Sequence, residues 1–279
     1  MIELMRRINP DFKEVHQSSI EYGTGETAWQ VNIITENGMP ISGGFGTNLE
    51  QARKVAAAEF LERSTVQRLK ADESLKKEWL LDVYPTACGF AAGFDKESTK
   101  LRSIMEGLER WVVSKWIDDN YHMNEEDSPH LESLGQYFVS QFDDCRFFFK
   151  SLPVLIGDRI VVARVAVVVA FSESGAFPGY SAGLEGENVW THALLEGMRH
   201  LLIARNSPRV DRFPYNRIFY FSDHRQKVEA ILSKNRREKW PTPQPLFFHS
   251  ETFDGFYMSR TIFKGWKSWH DGPIDRFLY

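Results

Sequence analysis

The sequence predicts an α+β fold: a strand–turn–helix unit repeated three times in a single domain spanning residues 1–279, with helices packed on mixed or antiparallel sheets. Three observations predict it. The first is a shared register. Gly46, Glu50, Glu59, Glu62 and Arg63 match Gly93, Glu97, Glu106, Glu109 and Arg110 position for position, and Gly183, Glu187 and Glu196 match the first three of these. Arg199 and His200 stand in the third copy where the others have Glu and Arg. The second is a cluster of small residues ahead of each helix: Gly43-Gly44-Phe45-Gly46, Gly89-Phe90-Ala91-Ala92-Gly93 and Gly179-Tyr180-Ser181-Ala182-Gly183. The third is the contrast between helical apolar spacing after those clusters and the unbroken valine-rich run Ile160 to Phe171, which reads as a buried strand. The central glutamates lie 47 and 90 residues apart, too irregular for a stacked solenoid.

Taken in order, residues 1–26 hold turn signals at Asn9-Pro10 and Gly23-Thr24-Gly25, with Lys13, Ser18 and Ser19 in a polar stretch before the first strand. Trp29 to Thr35 reads as that strand, Glu36-Asn37-Gly38 as a turn, and the residues near Ile41 as a second strand. Thr47 or Asn48 caps a helix from about Glu50 to Leu69, kept slim by Ala56, Ala57 and Ala58. Glu78–Val83 and Thr86–Phe90 read as strand, and Lys96–Trp116 as a helix with an apolar side of Leu101, Ile104, Met105, Leu108, Trp111 and Val112. A polar loop at 120–130 precedes a helix near 131–142. Cys145–Phe149 and Pro153–Ile156 are strand-like, with a hairpin turn at Gly157-Asp158. A loop covers 172–178, a helix 187–204, a strand 217–221 and a helix 224–233. The basic run Lys234 to Lys239 reads as a solvated helix end, and Pro241, Pro243 and Pro245 as a loop. Phe256–Phe263 is a last strand before a tail carrying Trp266, Trp269, Pro273 and Phe277.

Net charge of −4 gives no support to broad electrostatic binding of nucleic acid or of an anionic membrane. Two cysteines, Cys88 and Cys145, make no disulfide framework and suit a reducing compartment. The N-terminal residues lack a secretory apolar core, and no run approaches a bilayer span, so a cytoplasmic location is expected.

The chemistry lies in the repeated acids. Glu106 and Glu109 are three apart and share a helix face, with Arg110 beside the second. Alone, such a pair is commonly a solvated surface network. If the three units converge, Glu59, Glu62, Glu106, Glu109 and Glu196 come together, and five carboxylates need counter-charge. Mg²⁺ takes carboxylate oxygens and leaves positions for phosphate oxygens. Arg63, Arg110 and Arg199 supply planar forks for a polyphosphate. The expectation is a nucleotide held through metal ions without a Walker loop, since neither that motif nor a dinucleotide fingerprint occurs.

The ordered set Gly89-Phe90-Ala91-Ala92-Gly93, Glu106-Gly107-Leu108-Glu109-Arg110, the earlier Glu59–Arg63 and the later Gly183 to Glu196 resembles the signature of the YcaO superfamily over residues 40–205. The resemblance implies a YcaO-like fold that binds ATP and Mg²⁺ between carboxylate-bearing helices and activates a peptide backbone amide. A nucleophile adds to the carbonyl, ATP phosphorylates the oxyanion, and phosphate leaves. A neighbouring Cys, Ser or Thr gives an azoline by cyclodehydration, and a sulfur donor gives a thioamide, as in the biosynthesis of ribosomally made, modified peptides. Glu59, Glu62, Glu106, Glu109 and Glu196 are then the magnesium ligands. Lys13, Ser18, Arg63, Arg110 and Arg199 form the ATP-binding set. A peptide or protein substrate, a separate subunit delivering it and a homo-oligomeric state are the implied partners. The chain departs from the family pattern at Val55, where a Ser is common, at His192 and Arg199, where Asn and Gln are usual, and at its C-terminus, which lacks a proline-rich tail.

Three functions follow from these readings: a YcaO-type ATP-dependent peptide-modifying enzyme, a degenerate accessory protein that binds nucleotide or a partner without catalysis, and a metal-dependent hydrolase using the same acids. His192 and His200 read as polar packing residues because no second ligand stands at metal spacing. Cys88 reads as a buried small residue, while Trp266 and Trp269 pack a core edge or line a peptide groove.

Overall fold

The computed structural model describes residues 2–23, 25–38, 40–211, 213, 215–234, 236–268 and 272–276. Trp269 and Phe277, read above as tail aromatics, lie outside them. In chain order the first elements are α1 (Ile2–Ile8), β1 (Phe12–Tyr22), β2 (Glu26–Thr35), β3 (Pro40–Gly46), α2 (Leu49–Ala71), α3 (Glu73–Glu78), β4 (Phe90–Gly93) and α4 (Lys96–Asp118). There follow β5 (Asn124–Glu125), α5 (Ser133–Val139), β6 (Asp144–Ile156), β7 (Arg159–Phe171), β8 (Ala176–Leu184), α6 (Trp190–Asn206), α7 (Tyr215–Phe221), α8 (Arg225–Leu232), β9 (Pro245–Phe253) and β10 (Phe256–Phe263). The fold is mixed α+β, and its sheets are antiparallel.

Two compact units divide the chain, one of Met1–Gly107 with Phe247–Ile262, the other of Leu108–Leu246 with Phe263–Tyr279. In the first, β1, β2 and β3 form a sheet in that order. Asn48 starts α2 by accepting the Gln51 N–H at 2.9 Å. The buried Ala52, Ala56 and Ala57 let α2 lie close on β3. Gly44 is where closeness is absolute: a Cβ there would stand 2.0 Å from the Ala52 carbonyl oxygen and 2.4 Å from the Ala56 nitrogen. The core joins Phe12, Val31, Ile33, Phe60, Leu61, Trp79, Phe90 and Met258. A second sheet runs β4-β10-β9.

In the second unit, β5-β6-β7-β8 form one antiparallel sheet. From Ala163 to Phe171 nearly every β7 residue is buried whichever face it points to, but Ile160 and Val162, read as part of the same buried run, are exposed. Phe147 packs edge-on against Trp190 at 5.5 Å, and Trp116 against Phe148 at 5.2 Å. Trp266 is buried, which suits core packing.

Several expectations are corrected. Glu78–Val83 is no strand: α3 ends at Glu78 and a turn follows, and of Thr86–Phe90 only Phe90 is strand, where β4 begins. The Leu80 N–H bonds the Lys77 carbonyl at 3.0 Å and the Leu81 N–H the Lys76 carbonyl at 2.7 Å, with Leu80 in the left-handed region at φ 54°. That is a Schellman cap built on leucine rather than glycine. Residues 217–221 belong to the helix α7, in which Arg217, Ile218, Phe219 and Phe221 are buried. Residues 176–178, read as loop, begin β8, and Pro245, read as loop, begins β9. Residues 12–22, which showed no pattern, form the long strand β1.

Candidate functional site

Within the first unit, three of the expected carboxylates come together. α2 carries Glu59 and Glu62, and the first half of α4 carries Glu106. Glu59 Oε2 accepts the Gly43 N–H from β3 at 2.7 Å, and its other oxygen is ion-paired with Arg63. Arg63 Nη1 also donates to the Ile41 carbonyl at 2.7 Å, which ties this cation to the strand edge. Glu106 Oε1 accepts the Gly89 N–H at 3.3 Å. Gly89 sits at φ +77°, where a Cβ would stand 2.0 Å from the Thr261 carbonyl oxygen, so only glycine presents its N–H there.

Glu62 is the strained member. Burial, then the charges of Glu106 and Glu59, push its carboxyl well above the usual carboxylate range, while Arg63 and Arg102 only partly offset them. It forms no hydrogen bond or ion pair among the described residues. A hard cation is what such a set of oxygen donors fits: it would replace mutual repulsion by shared attraction. Arg102, which donates to the Ala92 carbonyl at 2.6 Å, was not among the expected site residues. The signal was present, since Arg102 stands four residues before Glu106 just as Val55 stands before Glu59 and His192 before Glu196.

Within the second unit, α6 lies on β8 through a glycine pair. A Cβ on Gly179 would fall 1.9 Å from the Ala193 carbonyl oxygen, and one on Gly197 2.8 Å from that of Phe177. This approach brings Glu196 Oε2 to 2.6 Å from the Tyr180 N–H. Glu109, buried on the later half of α4, is ion-paired with Arg110 at 3.2 Å. Burial, then Glu196, pushes the Tyr180 phenol well up, with Arg110 opposing and Glu109 adding to the rise. Tyr180 was named only as part of a small-residue cluster; its buried phenol facing these charges was not foreseen. His200 Nδ1 donates to the Pro178 carbonyl at 2.9 Å, since that oxygen can only accept. Burial pulls His200 below its ordinary range despite Glu196, so it is neutral at pH 7. It serves as a packed polar residue. Arg199 is half-buried on the same helix, and His192 is exposed.

Lys13 and Ser18 stand on the exposed strand β1. Lys13 pairs with Glu14 at 3.5 Å, at a shift in the β1–β2 register. Ser18 pairs across the sheet with Gln30, on the face opposite to Val31 and the core. Neither bonds Glu59, Glu62 or Glu106 among the described residues. Val55 is 40% exposed on α2.

No protein-family model matches the sequence, nor does any curated protein. Solved structures do match in three dimensions. The YcaO protein of Methanopyrus kandleri bound with AMPPCP and Mg²⁺ superposes with a TM-score of 0.61 at 17% identity, covering 96% of this chain and 89% of that one. A heterocyclase in complex with substrate and cofactor gives 0.57 at 12% identity, covering 95% of this chain and 52% of that one. Likeness at such identities is one of architecture. The chain has a YcaO-like fold.

Proposed function

We propose that this chain binds ATP through Mg²⁺ and activates a backbone amide of a peptide or protein substrate by phosphorylating its oxygen. The observation that carries the reading is the convergence of Glu59, Glu62 and Glu106 with too little counter-charge of their own. In this reading Glu59, Glu62 and Glu106, and with them Glu109 and Glu196, hold Mg²⁺. Arg63, Arg110 and Arg199 meet phosphate oxygens, and Lys13 and Ser18 complete the ATP-binding set. ATP supplies the phosphoryl group that makes an amide oxygen a good leaving group.

The chain's own residues prepare that chemistry. Glu59 and Glu196 are each oriented by a strand N–H, which fixes the direction of the carboxylate before any ligand arrives. Arg63 and Arg110, each ion-paired to a neighbouring glutamate, place positive charge beside the acids. Neutral His200 adds no second positive charge beside Glu196. The three strand–turn–helix units are read as copies of one another. Support comes from the strand N–H to glutamate bond, which recurs at separations of 16, 17 and 16 residues for Glu59, Glu106 and Glu196.

A Cys, Ser or Thr side chain of the substrate as nucleophile makes the product an azoline, and a sulfur donor makes it a thioamide. A second reading, an accessory protein that binds nucleotide or a partner without catalysis, is supported by the apolar Val55 exposed one turn ahead of Glu59. Phosphate release from ATP, measured beside short Cys-, Ser- and Thr-rich peptides with and without sulfide, separates the two. Peptide-dependent release that Glu106→Ala abolishes supports the enzyme. ATP binding without release beside any peptide supports the accessory protein.

A further inference from the structure

We propose that Glu78, His249 and Glu251 form a binding site for one divalent transition-metal ion of the zinc type, additional to the magnesium ligands above. All three residues belong to the first unit. His249 and Glu251 are alternate residues of β9, so their side chains share one face of an edge strand. Glu78 is the last residue of α3, held by the leucine Schellman cap that stops the helix there. The imidazole is oriented by packing: Trp79 meets it edge to face at 4.5 Å, and Phe247 stacks on it at 6.3 Å.

His249 Nε2 lies 3.6 Å from Glu78 Oε1 and 3.7 Å from Glu251 Oε2. Both separations exceed hydrogen-bond length, and Nε2 is buried with no hydrogen-bond partner. One ligand atom from each residue fits within a 4.8 Å span. Nitrogen and oxygen ligands about 2.0–2.2 Å from a tetrahedral zinc stand roughly 3.3–3.6 Å apart, so the two imidazole–carboxylate separations already lie within a few tenths of an ångström of that spacing.

The donor set selects the metal class. One imidazole and two carboxylates suit zinc and its first-row neighbours, whereas magnesium prefers an all-oxygen shell. Two carboxylates and a neutral imidazole also balance a divalent charge. Three protein ligands leave a fourth position for water or an incoming group. Bound metal would join the end of α3 to the edge strand β9, adding stability to a strand that is otherwise paired on one side only.

The test uses the full chain, stripped with EDTA and titrated with ZnCl₂ in excess Mg²⁺. The expected result is about one zinc equivalent and a rise in Tm on loading, with Co²⁺ giving a visible d–d absorption band in zinc's place. His249→Ala and Glu251→Gln should each weaken zinc binding at least tenfold and remove the cobalt band, while Glu62→Gln keeps both. Glu251→Gln should leave ATP binding unchanged, so failure of the zinc site and failure of the nucleotide reading are told apart. Glu251 is exposed, and its variant decides the matter if His249→Ala does not fold. Zinc uptake absent from the natural chain, or unaltered in Glu251→Gln, overturns the proposal.

Discussion

The two acid clusters solve the same electrostatic problem differently. In the second unit the acids are answered from within: Glu196 accepts a strand N–H at 2.6 Å, and Glu109 is paired with Arg110. In the first unit Glu59 and Glu106 are similarly tied, yet Glu62 is left among like charges that Arg63 and Arg102 only partly offset. A half-buried acid whose neighbours repel it is a cost to folding unless a ligand offsets it. What sets the two clusters apart is not the presence of acids but the charge imbalance left at Glu62.

The substitutions that break this contrast most strongly act on the backbone beneath it. Gly44→Ala and Gly179→Ala each put a methyl about 2 Å from a helix carbonyl oxygen, and each should cost about 3 kcal/mol or more in urea unfolding. Both clusters should be lost alike, because both depend on a helix lying against a strand.

Charge removal should then separate them. Glu196→Gln exchanges a charge-assisted hydrogen bond to Tyr180 N for a neutral one, and should cost about 1 kcal/mol. Glu62→Gln removes repulsion, and in metal-free buffer should raise Tm by about 2–4 °C, the shift given by roughly 1 kcal/mol. A fall in Tm for Glu62→Gln without metal would show that its charge is already compensated by the protein.

A smaller effect sharpens the picture of the second unit at alkaline pH. Burial, with help from Asp144, pushes the Cys145 thiol up to about 12. Below pH 9 the thiol is protonated in folded and unfolded chains alike. Above it the unfolded chain loses the proton while the folded one keeps it, so stability falls with rising pH towards 12. The slope is at most about 1.4 kcal/mol per pH unit. Cys145→Ala should flatten that decline in chemical denaturation between pH 8 and 10.5.

Much of this was legible in residue order, and the exceptions have physical causes. The helix α2 declared itself through its cap and α4 through its apolar spacing, and the small residues before them were required by close packing at Gly44 and Gly89. Of the five glutamates expected to converge, Glu59, Glu62 and Glu106 lie near one another in the first unit. β1 was invisible because Lys13 to Ile20 is largely exposed on both faces, leaving no alternation to read. Tyr215–Phe221 misled through aromatic content that favours strands, whereas tertiary burial of Arg217, Ile218 and Phe219 settles it as a helix.

Arg260 had no sequence signal at all. Fully buried in β10, it stacks over Phe90 at 4.6 Å and donates to the carbonyls of Trp79, Tyr84 and Thr86. It thereby organises the segment read as a strand. A role spread over partners more than 170 residues away cannot be seen in local pattern.

We propose the Glu59–Glu62–Glu106 cluster as the seat of a cation that accompanies a nucleotide. Calorimetric titration of ATP with and without Mg²⁺, on the natural chain and on Glu62→Gln, tests it most directly. ATP should bind only in the presence of Mg²⁺, and at least tenfold more weakly in Glu62→Gln. Binding of equal strength without Mg²⁺ or in Glu62→Gln, or no ATP binding at all, would contradict it.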